Sequence, residues 1–466
     1  MANPETPGSP LADMGSRSFS RRSVLKGIAG VAGIAAVPTL LAACGTSATA
    51  SPASEAPASA APASVAAGTL HVGSNHSDPG EAKGMADIDT AFTAATGITV
   101  ALNTVDHGTF QDQVTSYLGG KPDTAFTWFS GFRMKFFADQ GLATAIDDVW
   151  DKVKGNYTEG FATSVVGNDG KVYGIPVDYY PWAVFYRKSV FADKGYAIPA
   201  TWDDLKALCT KMKADGLTPI AFGDKDGWPA MGTFDILNLR VNGYDFHVNL
   251  MSGKEKWTDP KVTAVFQKWA EIVPFHAKDY AGLTWQNAAD TLVQKKSGMY
   301  LLGLFVSAQF AATNVQADMD DLDFFPFPTL GTQYDSEAAL DAPIDIWQIS
   351  ANSGNLPAEL DAAKAYMEFW SKGSTQVIMF QNQPGLIPSA NDADKSGYSA
   401  LQNKAADIVS KANRITQFLD RDTRPDFAGS NGMQSFLQKF LANPSQDLAA
   451  YQKTIQDFWD QLPPLV

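Results

Sequence analysis

Between residues 69 and 141, short apolar runs alternate with amphipathic stretches. Alternating apolar and polar positions predict strands at 69–73, 97–105 and 123–129. Apolar residues at helical spacing predict helices through about residue 95, over 110–118 and over 131–140, the last closed by Gly141. Three strand–helix repeats imply a parallel sheet with helices on its faces, where ligands bind beyond the carboxyl ends of the strands. The stretch 172–191 is different. Its β-branched and aromatic run is broken by Pro176 and Pro181, which cannot donate to a ladder, so it reads as two short strands with an extended join. A strand that stops, crosses and restarts indicates a chain passing between two sheets.

Farther along, Thr201 and Asp204 form a capping box opening a helix that carries Leu205, Leu208 and Met212. Cys209 lies on the apolar side of that helix and reads as a packed structural thiol. Strands are expected at 217–222, 298–305 and 342–350, and a helix after Pro260 presents Val262, Val265, Phe266, Trp269 and Ile272 on one face. The proline-broken run 323–328 reads as the chain crossing back, and the polar segment 371–374 as a third crossing. The remainder is mostly helical, interrupted at 382–385 and 423–426.

Chemistry concentrates at the expected strand ends. Asp78 and Glu81 follow the first strand; Trp128, Phe129, Ser130 and Arg133 follow the third. Asp178, Tyr179, Tyr180 and Trp182 sit at the first crossing. Trp228 follows 217–222, Phe305 ends the strand beginning at 298, and Asp345 with Trp347 forms another acid–tryptophan pair. Trp202, Trp269 and Trp370 fall inside periodic elements and belong to the core. Rings that cover apolar C–H faces, beside carboxylates that accept hydroxyl protons, suit a polyhydroxylated ligand.

Length, at 466 residues, makes two domains the prior. The balance of 36 basic and 50 acidic residues gives a net charge of −14, which argues against nucleic-acid binding. No metal-ligand spacing links His71, His76 and His107, and no nucleotide or nucleophile-elbow motif is present, so neither metal nor cofactor is expected. Ser20-Arg21-Arg22-Ser23-Val24-Leu25-Lys26, followed by a weakly apolar Ala/Gly-rich segment, reads as a twin-arginine export signal. Leu41-Ala42-Ala43-Cys44 resembles the lipobox of bacterial lipoproteins, which implies lipidation of Cys44. Residues 45–67 are nearly all Ser, Ala, Pro, Thr and Gly and read as a flexible tether.

Lys121-Pro122-Asp123, Asp139-Gln140-Gly141-Leu142, Tyr173-Gly174-Ile175-Pro176 with Tyr186-Arg187-Lys188, Pro199-Ala200-Thr201-Trp202-Asp203-Asp204-Leu205 and Gly216-Leu217-Thr218-Pro219-Ile220 stand in a recognisable order. From about Thr69 onward the chain resembles bacterial extracellular solute-binding proteins of family 1, the carbohydrate-binding group that includes maltose-binding protein. The resemblance implies an α/β fold of the two-lobed periplasmic-binding-protein type (type II), with three hinge crossings. The expected organisation is a signal peptide at 1–43, lipidated Cys44 and tether at 44–67, a first lobe of 68–179 with 328–372, and a second of 180–327 with 373–466. It also implies ligand contacts from the loops named above, with Arg424 and Asp426 in a late loop facing the cleft. The implied function is a monomeric, lipid-anchored receptor on the outer face of the cell membrane. It hands a carbohydrate to an ABC permease whose cytoplasmic ATPase drives import.

Other readings stay open. The carboxylates would also suit a cationic amino acid, peptide or polyamine in the same fold. Asp78, Asp178 and Asp345 could supply the carboxyl pair of a glycoside hydrolase if their separation allowed it. The expectation is a receptor and not an enzyme.

Overall fold

The computed structural model describes residues 68–337 and 339–464; the paired arginines, Cys44 and the expected tether lie outside them. In chain order the strands are β1 (Thr69–Ser74), β2 (Thr99–Thr104), β3 (Ala125–Phe129), β4 (Ile175–Tyr179), β5 (Trp182–Arg187), β6 (Thr218–Ala221), β7 (Ser297–Gly303), β8 (Leu322–Phe325), β9 (Ala339–Asp341), β10 (Ile344–Ile349), β11 (Ile387–Pro388) and β12 (Arg414–Thr416). One sheet runs β11-β4-β10-β3-β1-β2, a second runs β6-β7-β5-β8, and β9 pairs with β12 alone. In the first sheet β1 lies parallel to β2 and β3, as the strand–helix repeats require. β10 runs antiparallel between β3 and β4 and makes the sheet mixed.

Local sequence explains the elements that frame the cleft. The helix Pro79–Thr96 starts with proline at its first position and stops at Gly97, whose φ of 76° lies in the left-handed region that favours glycine. The helix Trp202–Ala214 opens on the expected capping box, with Thr201 and Asp204 each accepting from the other's backbone amide. Every residue of β3, β4 and β10 is buried, because helices cover both faces of the sheet.

The first crossing is where the two prolines place it. β4 ends at Tyr179 and β5 begins at Trp182, so Tyr180 and Pro181 pass from one sheet to the other. The second crossing comes later than 323–328. Pro326 and Pro328 end the pairing of β8, but Thr329 still bridges Thr201 and Thr332 Oγ1 donates to the Arg240 carbonyl at 2.6 Å. The chain therefore stays with the second sheet until Asp341 and joins the first at Ile344. A proline stops ladder pairing without moving the chain between lobes.

The segment 371–374 is not a crossing either. It turns the helix Leu356–Trp370 into the helix Gly373–Asn382, which packs on Pro79–Thr96 through Asn382 Nδ2 to Asp87 Oδ2 at 3.0 Å. β11 then pairs with β4. Residues 373–388 thus belong with the first sheet, and 328–341 with the second, against the expected division. The chain is back on the second sheet by the helix Ala400–Ser410, where Lys404 Nζ meets Asp323 Oδ1 at 2.7 Å.

Candidate functional site

Both lobes enclose a cavity of about 160 Å³. The first lobe lines it with residues beyond the carboxyl ends of β1 and β2. Asn75, His76, Asp78 and Glu81 come from the β1 loop and the helix after it; Asp106, His107 and Gln111 come from the start of the helix His107–Gly119. The second lobe supplies Trp182 on β5, Asp226 and Trp228 after β6, Trp285 and Gln286 on the helix Trp285–Val293, and Phe305 after β7. Tyr180, Asp345, Phe418, Asp420 and Arg421, all near crossings, close the floor.

Charge on the first-lobe wall is paired. His76 Nδ1 lies 3.5 Å from Glu81 Oε2. Burial disfavours the imidazolium, but the Glu81 hydrogen bond and charge, with Asp178 and Asp345, overcome it and raise His76 to about 9. Burial likewise opposes ionisation of Glu81, and His76 reverses that, holding the carboxyl below its usual range. Asp78 is pushed up to about 6 by burial and by Glu81, while its Oδ1 accepts from Gln286 Nε2 at 3.1 Å across the cleft. His107 Nε2 contacts Gln111 Nε2 at 2.8 Å, and Arg133 Nη1 donates to Gln111 Oε1 at 3.0 Å from behind.

The floor centres on Arg421. Its Nη1 donates to Asp345 Oδ1 at 2.6 Å and its Nη2 to Tyr180 Oη at 2.5 Å, while the guanidinium lies 3.7 Å from the Phe129 ring centroid. Asp345 faces Asp178 across the β10–β4 ladder, where the register shifts next to Asp345. Such an irregularity re-aims a side chain. Burial, with repulsion from Asp345, raises Asp178 well above the carboxylate range. His76 pairs with Glu81 and Arg421 with Asp345, and between these pairs burial and the neighbouring Asp345 favour the protonated form of Asp178.

The second-lobe wall is aromatic. Phe305 lies 5.2 Å from Tyr180, 5.9 Å from Trp228 and 5.0 Å from Trp285, all edge to face, and Phe418 stacks on Trp182 at 5.1 Å and 20°.

Of the residues expected at the site, Asp78, Glu81, Tyr180, Trp182, Trp228, Phe305 and Asp345 line the cavity. Four stand behind it as supports: Asp178 beneath Asp345, Phe129 beneath Arg421, Arg133 behind Gln111, and Ser130, whose Oγ donates to Gln417 Oε1 at 2.7 Å. Five are elsewhere. Trp128 is buried against Phe129 and Phe137, Tyr179 packs on Phe161, and Trp347 packs between Tyr366 and Trp370. Arg424 and Asp426 bind each other at 2.6 and 2.8 Å, with Arg424 Nη1 also on the Pro463 carbonyl at 2.6 Å, so they tie down the C-terminal helix.

Sequence reasoning passed over Asp106, Gln111, Asp226, Trp285, Gln286, Phe418, Asp420 and Arg421, and weighed His76 and His107 only as metal ligands. Placing the β2 loop beside the β1 loop on the same sheet edge would have found Asp106 and His107. His71, weighed with His76 and His107 as a metal set, instead holds Glu359 at 2.7 Å from Nδ1.

Residues 77–372 match the model of the bacterial extracellular solute-binding protein family. An ABC transporter extracellular-binding protein of Pyrococcus horikoshii is 27% identical over 61% of this chain, and the chain spans 62% of that protein. The alpha-glucosides-binding periplasmic protein AglE of Rhizobium meliloti is 24% identical over 80% of this chain and 82% of its own. Among solved structures, the bacterial solute receptor AcbH superposes with a TM-score of 0.79 at 41% identity, covering 84% of this chain and 99% of that one. AcbH is described as having an exclusive substrate preference for β-D-galactopyranose.

Proposed function

The chain belongs to the bacterial extracellular solute-binding proteins, and we propose that it captures a single pyranose in the cavity between its lobes and presents it to an ABC permease. One observation carries this reading: the two walls divide the work of holding a sugar. The rings of Trp228, Trp285 and Phe305 offer apolar area for C–H faces, and across from them Asp78, Glu81, Asp106 and Asp345 offer oxygens that accept hydroxyl protons. His76 and Arg421 contribute donors and neutralise part of the acid.

A cavity of about 160 Å³ has room for one pyranose ring with its hydroxyls. AcbH and its preference for β-D-galactopyranose make galactose the first candidate. A ligand touching both walls favours the closed arrangement by its differential affinity, and closure is what a permease can read. Delivery to the permease, anchoring through Cys44, twin-arginine export and a monomeric state belong to this same proposal.

Isothermal titration against monosaccharides, disaccharides, polyols and cationic amino acids tests it. Saturable one-site binding of one monosaccharide, without its turnover, is expected. Heat with amines alone would assign the carboxylates to a cationic ligand, and consumption of a disaccharide would make the protein a hydrolase.

A further inference from the structure

Trp182 has both faces covered, and the two covers differ in kind. On one side it lies against the helix Pro229–Asn242, so close that a Cβ at Gly232 would overlap its ring. On the other side lies a phenyl ring, Phe418, nearly parallel at 20° and 5.1 Å between centroids. Aliphatic and polar side chains could fill such a gap in many ways. A flat ring laid parallel on an indole is what a stacked sugar would itself provide.

Phe418 also holds a backbone conformation that a side chain resists. Its φ is 96° and ψ 142°, in the region favourable only to glycine. The surroundings enforce it. The amide before it, Gln417 N, donates to Asp422 Oδ2 at 2.8 Å, and the one after it, Leu419 N, donates to the buried Asp235 Oδ2 at 2.5 Å. Gln417 Oε1 is held by Ser130 Oγ and by Ile344 N at 3.0 Å. The carbonyl of Phe418 accepts from Arg421 N and Asp422 N, each at 2.8 Å. Glycine would fit the backbone better; what the aromatic side chain adds is buried contact, stacked on Trp182 and edge to face with Trp228 at 6.4 Å.

We infer that Phe418 is a specificity determinant that occupies a second sugar platform on Trp182 and so limits the cavity to one ring. This rests on the carbohydrate reading above. Both Trp182 and Phe418 border the cavity, so removing the phenyl joins the freed indole face to the existing space. The enlarged site then has two platforms, Trp182 and the Trp228–Phe305 group, instead of one.

The test compares the full chain with Phe418→Ala and Phe418→Gly by titration with D-galactose, D-glucose, lactose, melibiose and maltose, with a thermal melt of each. In both variants the ratio of disaccharide to monosaccharide affinity is expected to rise at least tenfold for one disaccharide, whatever happens to monosaccharide binding itself. Phe418→Gly is expected to melt no lower than Phe418→Ala, because glycine relieves the backbone while losing the same ring. An unchanged ratio in folded Phe418→Gly, with the unaltered chain binding a monosaccharide, overturns the inference and leaves the carbohydrate reading intact. An unaltered chain that binds none of the five sugars overturns the carbohydrate reading first. A lower melt for Phe418→Gly than for Phe418→Ala contradicts the strain argument by itself.

Discussion

The two walls of the cavity are built from opposite materials. On the first lobe, Asn75, His76, Asp78, Glu81, Asp106, His107 and Gln111 are polar and come from loops and first helical turns; on the second, Trp182, Trp228, Trp285 and Phe305 are aromatic and interlock edge to face. A polar wall selects by direction, since each hydrogen bond asks for one orientation. An aromatic wall contributes area and tolerates small rotations of what lies on it. The second lobe adds only Asp226 and Gln286 to its rings, so most of the polar contacts come from the first lobe and tight binding draws on both. Asp78 and Gln286 already bridge them.

The largest break in this division is expected at Arg421, which braces the floor between the walls. It holds Asp345 of the first sheet and Tyr180 of the crossing, and it is buried. Arg421→Ala leaves Asp345 buried without its cation, a loss of about 3–5 kcal/mol in stability, and should abolish measurable sugar binding. Adding Asp345→Asn should recover most of the melting temperature and none of the binding, because the uncompensated charge disappears while the donors stay lost. If the double variant bound sugar normally, Arg421 would be a fold element only.

Next in size is the aromatic wall. Trp228→Ala should weaken monosaccharide binding by about 2 kcal/mol, roughly thirtyfold in Kd, with a smaller fall in the melt than Arg421→Ala, since Trp228 is only half-buried. Equal affinity in the variant would show that the ligand leans on Trp285 and Phe305 instead.

What could be read from the chain follows the same line. The crossing at Tyr180 was legible because two prolines interrupt an apolar run, and Trp228 because it stands in a loop after a strand. Trp128 and Trp347 misled because β3 and β10 are buried on both faces, so position in the strand carries no sign of which way a ring points. Arg421 and Arg424 stand three residues apart in one polar segment, and nothing local distinguishes the arginine that finds Asp345 from the one that finds Asp426. Phe418 is marked only by its backbone, which sequence does not display. The two later crossings were misplaced because prolines and glycines report the end of an element and not the lobe it belongs to.

The smallest effect sharpens the comparison most, because it separates the walls by pH. His76 is raised to about 9 from an ordinary 6.5, so its contribution to stability is complete below about 6.5 and is lost as pH rises through 9. Glu81 is lowered, so its contribution is present above the usual glutamate value and is lost as pH falls. The pair therefore stabilises the first-lobe wall across the neutral range and fails on the alkaline side when His76 gives up its proton. Glu81→Gln removes the largest of the contributions that oppose burial, so the imidazole is expected to give up its proton at a lower pH than in the unaltered chain. The variant should lose about 1–2 kcal/mol near neutrality and converge with the unaltered chain by about pH 10 in melts taken from pH 6 upward. Trp228→Ala, acting on the uncharged wall, should give a curve parallel to the unaltered chain over the same range. Parallel curves for both variants would mean that His76 is not charged in the folded protein and that the polar wall is held by hydrogen bonds alone.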